Sequence, residues 1–170
     1  PLRLVGSEMC IRDSKEGERM IRNTYQKTTT ITEFRGAYAF LSNFYQAPVY
    51  YQGYLYANNE AAYQAQKTTS PKIKLLFCLP RMKNPAEAKK LGRQIEIRYD
   101  WERIKYSCMY EICLSKFMQH PELAQSLLDT AEQELIESNT WGDRYWGTVN
   151  GRGENQLGQI LMDIRKKLQL

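Results

Sequence analysis

The stretch DWERIKYSCMYEICLSKFMQ, residues 100–119, constrains the fold more than any other part of the chain. It is the longest helix candidate, and Asp100 reads as its cap. Ile104, Cys108 and Ile112 fall four apart, as do Met109 and Cys113 with Phe117 following, so apolar side chains make a wide face. A face of that width has to be covered by the other elements.

Those elements are shorter. TTTITEF (28–34) is β-branched and reads as a strand. APVYYQGYLYA reads as a hairpin turning at Gln52-Gly53. Asn58 or Asn59 caps a helix running through Gln66, with Glu60 in its first turn. Pro71 opens a helix over SPKIKLLFCL, and Pro85 opens NPAEAKKLG, closed by Gly92. PELAQSLLDTA is a helix with Leu123, Leu127 and Leu128 inward, and EQELIES is a candidate strand. In LGQILMDIRKKL, Leu157, Ile160, Leu161, Ile164 and Leu168 share a face, and Lys166 and Lys167 suit the C-terminal end. The sum is an α+β fold: a mainly helical single domain over 29–170 with a few short antiparallel strands. Residues 1–28 lack periodicity and read as a tail. LVGSEMCIRD resembles a translated sequencing adaptor, and a native arm is the alternative.

Composition narrows the chemistry. The 170 residues are 42% hydrophobic and 25% charged, enough for a core without staples. Four cysteines at 10, 78, 108 and 113 form no CxxC pair, so buried thiols are the better reading than zinc ligands or disulfides. The 1 histidine, His120, cannot build a His-rich metal site and reads as a surface loop residue. No metal and no cofactor are expected. No run of apolar residues is long enough to span a membrane, no secretory signal is visible, and the cytoplasm is the expected compartment. A net charge of +5 favours anionic partners, but the basic residues are spread and balanced, unlike a nucleic-acid-binding patch.

Three segments carry chemistry. FRGAYAFLSNFY places Gly36, Ser42 and Asn43 among aromatics; Phe40, Ser42 and Asn43 are candidates for ligand contact, a core-packing turn being the plainer alternative. In NNEAAYQAQK, Glu60, Tyr63, Gln64 and Lys67 fall on one helical face. A solvated face does not need Tyr, and a core face does not carry Glu and Lys. WGDRYWGTVNGRGENQLG gathers Gly142, Gly147, Gly151, Gly153 and Gly158, half of the 10 glycines, with Trp141 and Trp146. It matches neither GxGxxG nor Walker A. Glycines ahead of a helix start still offer N–H groups to a phosphate or a ribose hydroxyl. Asn155 can cap that helix, the indoles can hold a flat base, and Asp143 adds a carboxylate.

Taken in order, these stretches resemble the NADAR superfamily, named for its predicted links to NAD and ADP-ribose. The marks are G-x-Y-x-F-L-S-N-F-Y (36–45), Tyr51 to Gly53, E-x-x-Y-Q-A-x-K (60–67), Trp101-Glu102, D-x-Y-W-G (143–147), G-x-G-x-N-x-L-G (151–158) and L-M-x-I-R (161–165). The likeness runs from about Phe34 to Leu168. It implies an α+β domain that cleaves N-glycosidic bonds without a metal, and it adds Trp101, Tyr145 and Gly147 to the candidate binding residues. Known branches act on early riboflavin-pathway intermediates or remove ADP-ribose from guanine in nucleic acid. Asn59 and Ala61 depart from the Ser and His of the riboflavin branch, and the glycine loop is one residue shorter. The F-R-G-x-Y-x-F-L-S-N-F-Y stretch is closer to ADP-ribose-directed members.

The chemistry of ribosyl C–N cleavage assigns the roles. Positive charge grows on the sugar and negative charge on the base, so a carboxylate belongs at the anomeric carbon and a donor at the base. Glu60 is the expected carboxylate. Asp143 orients water or ribose hydroxyls. Lys67 binds phosphate or, if burial lowers its pKa, attacks the opened sugar. Trp141 or Trp146 stacks on the base, and Gly151, Gly153 and Asn155 cradle phosphate or ribose. The expected partner is an ADP-ribose- or ribose-phosphate-containing substrate, including ADP-ribosylated DNA or RNA. Two other classes are a non-catalytic ADP-ribose reader and a nucleic-acid-binding protein using its basic surface alone.

Overall fold

A computed structural model describes residues 30–170. The tail expected over 1–28 lies outside them. Two strands, β1 (Val49–Tyr51) and β2 (Tyr54–Tyr56), pair antiparallel with Val49 opposite Tyr56 and Tyr51 opposite Tyr54. Gln52 and Gly53 both have positive φ, 48° and 85°, as a two-residue turn of this twist requires. Six α-helices follow: α1 (Asn59–Ala65), α2 (Pro71–Lys74), α3 (Pro85–Leu91), α4 (Trp101–Gln119), α5 (Pro121–Leu128) and α6 (Gln156–Leu168). Gly36–Leu41 and Leu75–Phe77 are 3₁₀ turns. The fold is α+β and mainly helical, as the periodicities predict.

Helix α4 is the spine. It packs against β1, α1, α5 and α6, and α1 packs in turn on α3. Cys108, Met109, Ile112, Cys113 and Phe117 are buried along it, with Ile104 partly buried. The face extends further than its apolar pattern, because Lys116 is also buried. Its ammonium donates to Phe40 O at 2.7 Å and Ser42 O at 3.4 Å, gripping the end of the first 3₁₀ turn.

Several local expectations are corrected. TTTITEF and EQELIES form no strands in the described residues. A single parallel bridge joins Ile31 to Leu135, through Ile31 N–Glu134 O and Ile136 N–Ile31 O at 2.8 Å each, followed only by a longer Ser138 N–Thr32 O bond at 3.3 Å. SPKIKLLFCL is not one helix. Its Leu75 and Leu76 stay exposed, so no packing sustains the α conformation, and Pro80 lies just ahead. Asp100 makes no capping bond; its carboxylate binds the Arg98 guanidinium instead. Asn58, not Asn59, caps α1, accepting from Ala61 N at 2.9 Å. Leu128 and Leu168 are only partly buried. His120 lies between α4 and α5, as expected of a loop residue, with its Nε2 2.7 Å from Pro48 O.

Asn155 stands at the start of α6 in the left-handed region with no capping bond. Its amide bridges elsewhere, donating to Leu135 O at 2.9 Å and accepting from Glu137 N at 3.0 Å. Gly147 and Gly158 explain part of the glycine density. A Cβ at Gly147 would overlap Glu137 O, and one at Gly158 would overlap Leu135 O. Both glycines therefore let the late loop (residues 141–155) and α6 close on the segment 135–137.

Candidate functional site

Residues on both sides of the first 3₁₀ turn (34–35 and 42–44), α1, α3, α4, residues 137–138 and the late loop line one cavity of about 800 Å³. The α1 stripe supplies its first wall. Glu60, Tyr63, Gln64 and Lys67 all line it, although α1 ends at Ala65 and Lys67 follows the cap. The period of 3.6 put these four side chains together, and the packing of α1 on α3 and α4 turned them inward.

Glu60 is buried. Loss of water raises its pKa, opposed by the Gln64 amide and by the positive charges of Lys89, Lys67 and Arg93. Gln64 Nε2 donates to Glu60 Oε1 at 2.8 Å. The Lys67 pKa is lowered by burial, with Glu60 pulling it back up. Lys67 Nζ reaches Gly92 O at 3.4 Å and stands 6.0 Å from the centre of the Trp101 ring. Asn43 fixes the helix that carries Glu60. Its carbonyl accepts Glu60 N at 3.0 Å, and its side chain is engaged with Met109 Sδ and Asn59. Ser42 and Asn43 both line the cavity, yet their polar groups are spent mainly on local structure: Ser42 Oγ accepts Phe44 N at 3.1 Å.

Rings form a second wall. Tyr63 lies 5.0 Å from Trp101 and 5.5 Å from Trp146, centre to centre, and Trp146 meets Tyr145 edge-on at 4.8 Å. Asp143 holds this corner. Its Oδ1 accepts Tyr145 N at 3.1 Å and Trp146 N at 2.9 Å, while Asn139 brackets its backbone. Trp141 is 57% exposed at the rim. The Lys89 ammonium lies 5.6 Å from its ring and 5.8 Å from that of Phe44. Arg35, Arg93 and Lys105 also line the cavity, so cations meet both carboxyls and rings there.

The structure thus brings Ser42, Asn43, Glu60, Tyr63, Gln64, Lys67, Trp101, Trp141, Asp143, Tyr145 and Trp146 to one cavity. Phe40, Gly147, Gly151, Gly153 and Asn155 are not among its lining residues. Phe40 is in the core, and Asn155 and Gly147 are occupied with residues 135–137. Gly151 and Gly153 have φ of 72° and 155°, and Val149 and Arg152 bridge across this turn. Glu137 lines the cavity and was not a candidate from the sequence. Its signal was faint: one carboxyl just after Leu135 and Ile136, a short way before Asp143. Among the described residues, no three His, Cys, Asp or Glu side chains converge as a metal-holding group, and no helix is long and apolar enough to cross a membrane.

Comparison with known proteins agrees with this architecture. The NADAR domain family matches residues 25–169. An N-glycosidase, YbiA of Shigella flexneri serotype 5b, is 36% identical over 136 residues, covering 78% of this chain and 83% of that protein. A riboflavin biosynthesis protein of Vibrio vulnificus is 36% identical over 135 residues, which cover 36% of its length. The NMR structure of E. coli YbiA superposes with a TM-score of 0.71 at 32% identity, over 85% of this chain and 90% of that one.

Proposed function

The chain belongs to the NADAR domain family, and on that premise we propose that it hydrolyses the bond between ribose C1 and a nitrogen of a base. One observation carries the reading: a buried helix presents Glu60 to a cavity that also holds a cluster of aromatic rings and several cations. A cavity of that makeup suits a sugar flanked by a flat base and a phosphate. The Glu60 carboxylate balances the charge that grows on the sugar and takes a proton from the attacking water. Asp143 spends one oxygen on the Trp146 turn and keeps the other for water or a ribose hydroxyl. Lys67 binds phosphate when charged; when neutral it is a nucleophile for an opened sugar.

The finer reading is removal of ADP-ribose from guanine. Two groups of rings support it, since the substrate has two bases: Tyr63, Trp101 and Trp146 within, Phe44 and Trp141 at the rim. The rim cations suit the pyrophosphate. A ribosylaminopyrimidine phosphate is the second reading, favoured by the relative named for riboflavin biosynthesis. Incubating the protein separately with ADP-ribosylated guanine DNA and with that pyrimidine, then weighing the products, distinguishes them. Free guanine-DNA from the first substrate supports the finer reading, and free pyrimidine alone supports the second. Release from neither, or undiminished release by Glu60→Gln, overturns the assignment.

A further inference from the structure

Base departure needs a proton, and Glu60 is placed for the opposite task. We propose that Glu137 is the acid that protonates the leaving nitrogen, a role that rests on the N-glycosidase reading above. The geometry is specific. Three contacts clamp the Glu137 backbone: Glu137 N donates to Asn155 Oδ1, Thr148 N donates to Glu137 O at 2.8 Å, and Gly147 closes against the same carbonyl. Its carboxyl receives no hydrogen bond from any described residue, while the residue lines the same cavity as Glu60. It stands near the Asp143 turn that carries Trp146.

The charges around the two carboxyls sort them. Burial raises the Glu60 pKa, and an amide donor in Gln64 with three cations, Lys89, Lys67 and Arg93, opposes that rise. Glu137 has two anions, Asp143 from the late loop and Glu60 from α1, against one cation, Lys89 from α3. Burial and these two carboxylates push the Glu137 pKa up to about 7. Of two carboxyls in one cavity, the one with donors and cations gives up its proton more readily, and the one among anions holds it more tightly. In the step, the C1–N bond breaks with its electron pair going to nitrogen, which takes the Glu137 proton. Water adds to C1 and loses its proton to Glu60. Solvent exchange then moves a proton from Glu60 to Glu137, leaving free base and a sugar C1 hydroxyl.

The test pairs two leaving groups. One substrate carries the natural base; the other is the same ribose phosphate carrying 4-nitrophenol, which departs without a proton. Glu137→Gln is expected to lose about 10²–10⁴-fold in kcat on the base. It should release nitrophenolate within a few-fold of the wild-type rate. Wild-type kcat on the base falls as pH rises through about 7, and that alkaline limb disappears in Glu137→Gln but persists in Glu137→Asp. Equal losses on both substrates, or an alkaline limb retained in Glu137→Gln, overturn the assignment. The pH limb decides alone if the nitrophenyl compound is not a substrate. If wild type releases neither base nor nitrophenolate, the N-glycosidase reading itself has failed, and the acid falls with it.

Discussion

Lys116 is the most deeply buried cation among the described residues, and it ties α4 to the turn that delivers Asn43. Burial pulls its pKa down to about 8, with Cys113 opposing. The sign follows from proton counts. Between about 8 and the ordinary lysine value near 10.4, the unfolded chain binds the proton and the folded chain does not. Stability contributed by this residue therefore rises with pH across that window. Below it the charge is retained and its burial cost is present in full. Lys116→Met should remove this rise, so that the wild-type-minus-variant difference in ΔG of unfolding climbs with pH, by on the order of 3 kcal/mol in all. Urea titrations from pH 7 to 10.5 check it; a flat difference would show that Lys116 titrates alike in both states. The sequence marks residue 116 only as a lysine four past Ile112 on an apolar face. What makes it a bonding site is a pair of carbonyls arriving from a segment some 75 residues away in sequence, and periodicity carries no trace of such a partner.

At the level of elements, what could be read early was what one segment decides by itself. The α1 stripe, its asparagine cap, the Gln52-Gly53 turn and the α4 face follow from spacing and local bonding. What was hidden needs two segments at once. Asn155 resembles a helix cap in sequence but bridges to 135–137, and the glycines resemble a phosphate loop while two of them let chains touch. Glu137 was missed for the same reason: its surroundings are assembled by α1 and α3, far from it in sequence, together with the late loop. The contact of α6 with this segment makes a prediction. Gly158→Ala forces a methyl against Leu135 O and should destabilise the fold by about 1–3 kcal/mol, as overpacking does. It should also lower kcat, because the same shift moves Glu137. A lower denaturation midpoint with unchanged kcat would separate the helix contact from the site.

Across the whole molecule, the cavity draws on the flanks of the first 3₁₀ turn, three helices, residues 137–138 and the late loop, spanning Phe34 to Trp146. The family resemblance located that assembly in the sequence; local patterning alone located only its parts. Lys89 sits where the parts meet. Its ammonium lies near Phe44 on one side of the chain's order and Trp141 on the other, each contact worth about 0.5–1 kcal/mol at an exposed position. A planar guest that lies on either ring competes with this ammonium, whereas a phosphate recruits it. Binding of the two halves of a substrate is thus thermodynamically coupled: displacement by the aromatic half frees the charge that the anionic half needs. Separate fragments, nucleobase or ribose phosphate, should each enhance the other's affinity in calorimetry, and Lys89→Ala should abolish that cooperativity, weakening ribose phosphate while leaving the affinity for nucleobase alone within a few-fold. The rim would then keep base and sugar phosphate together for a moment after the bond is cut, and departure of either product would loosen the grip on the other.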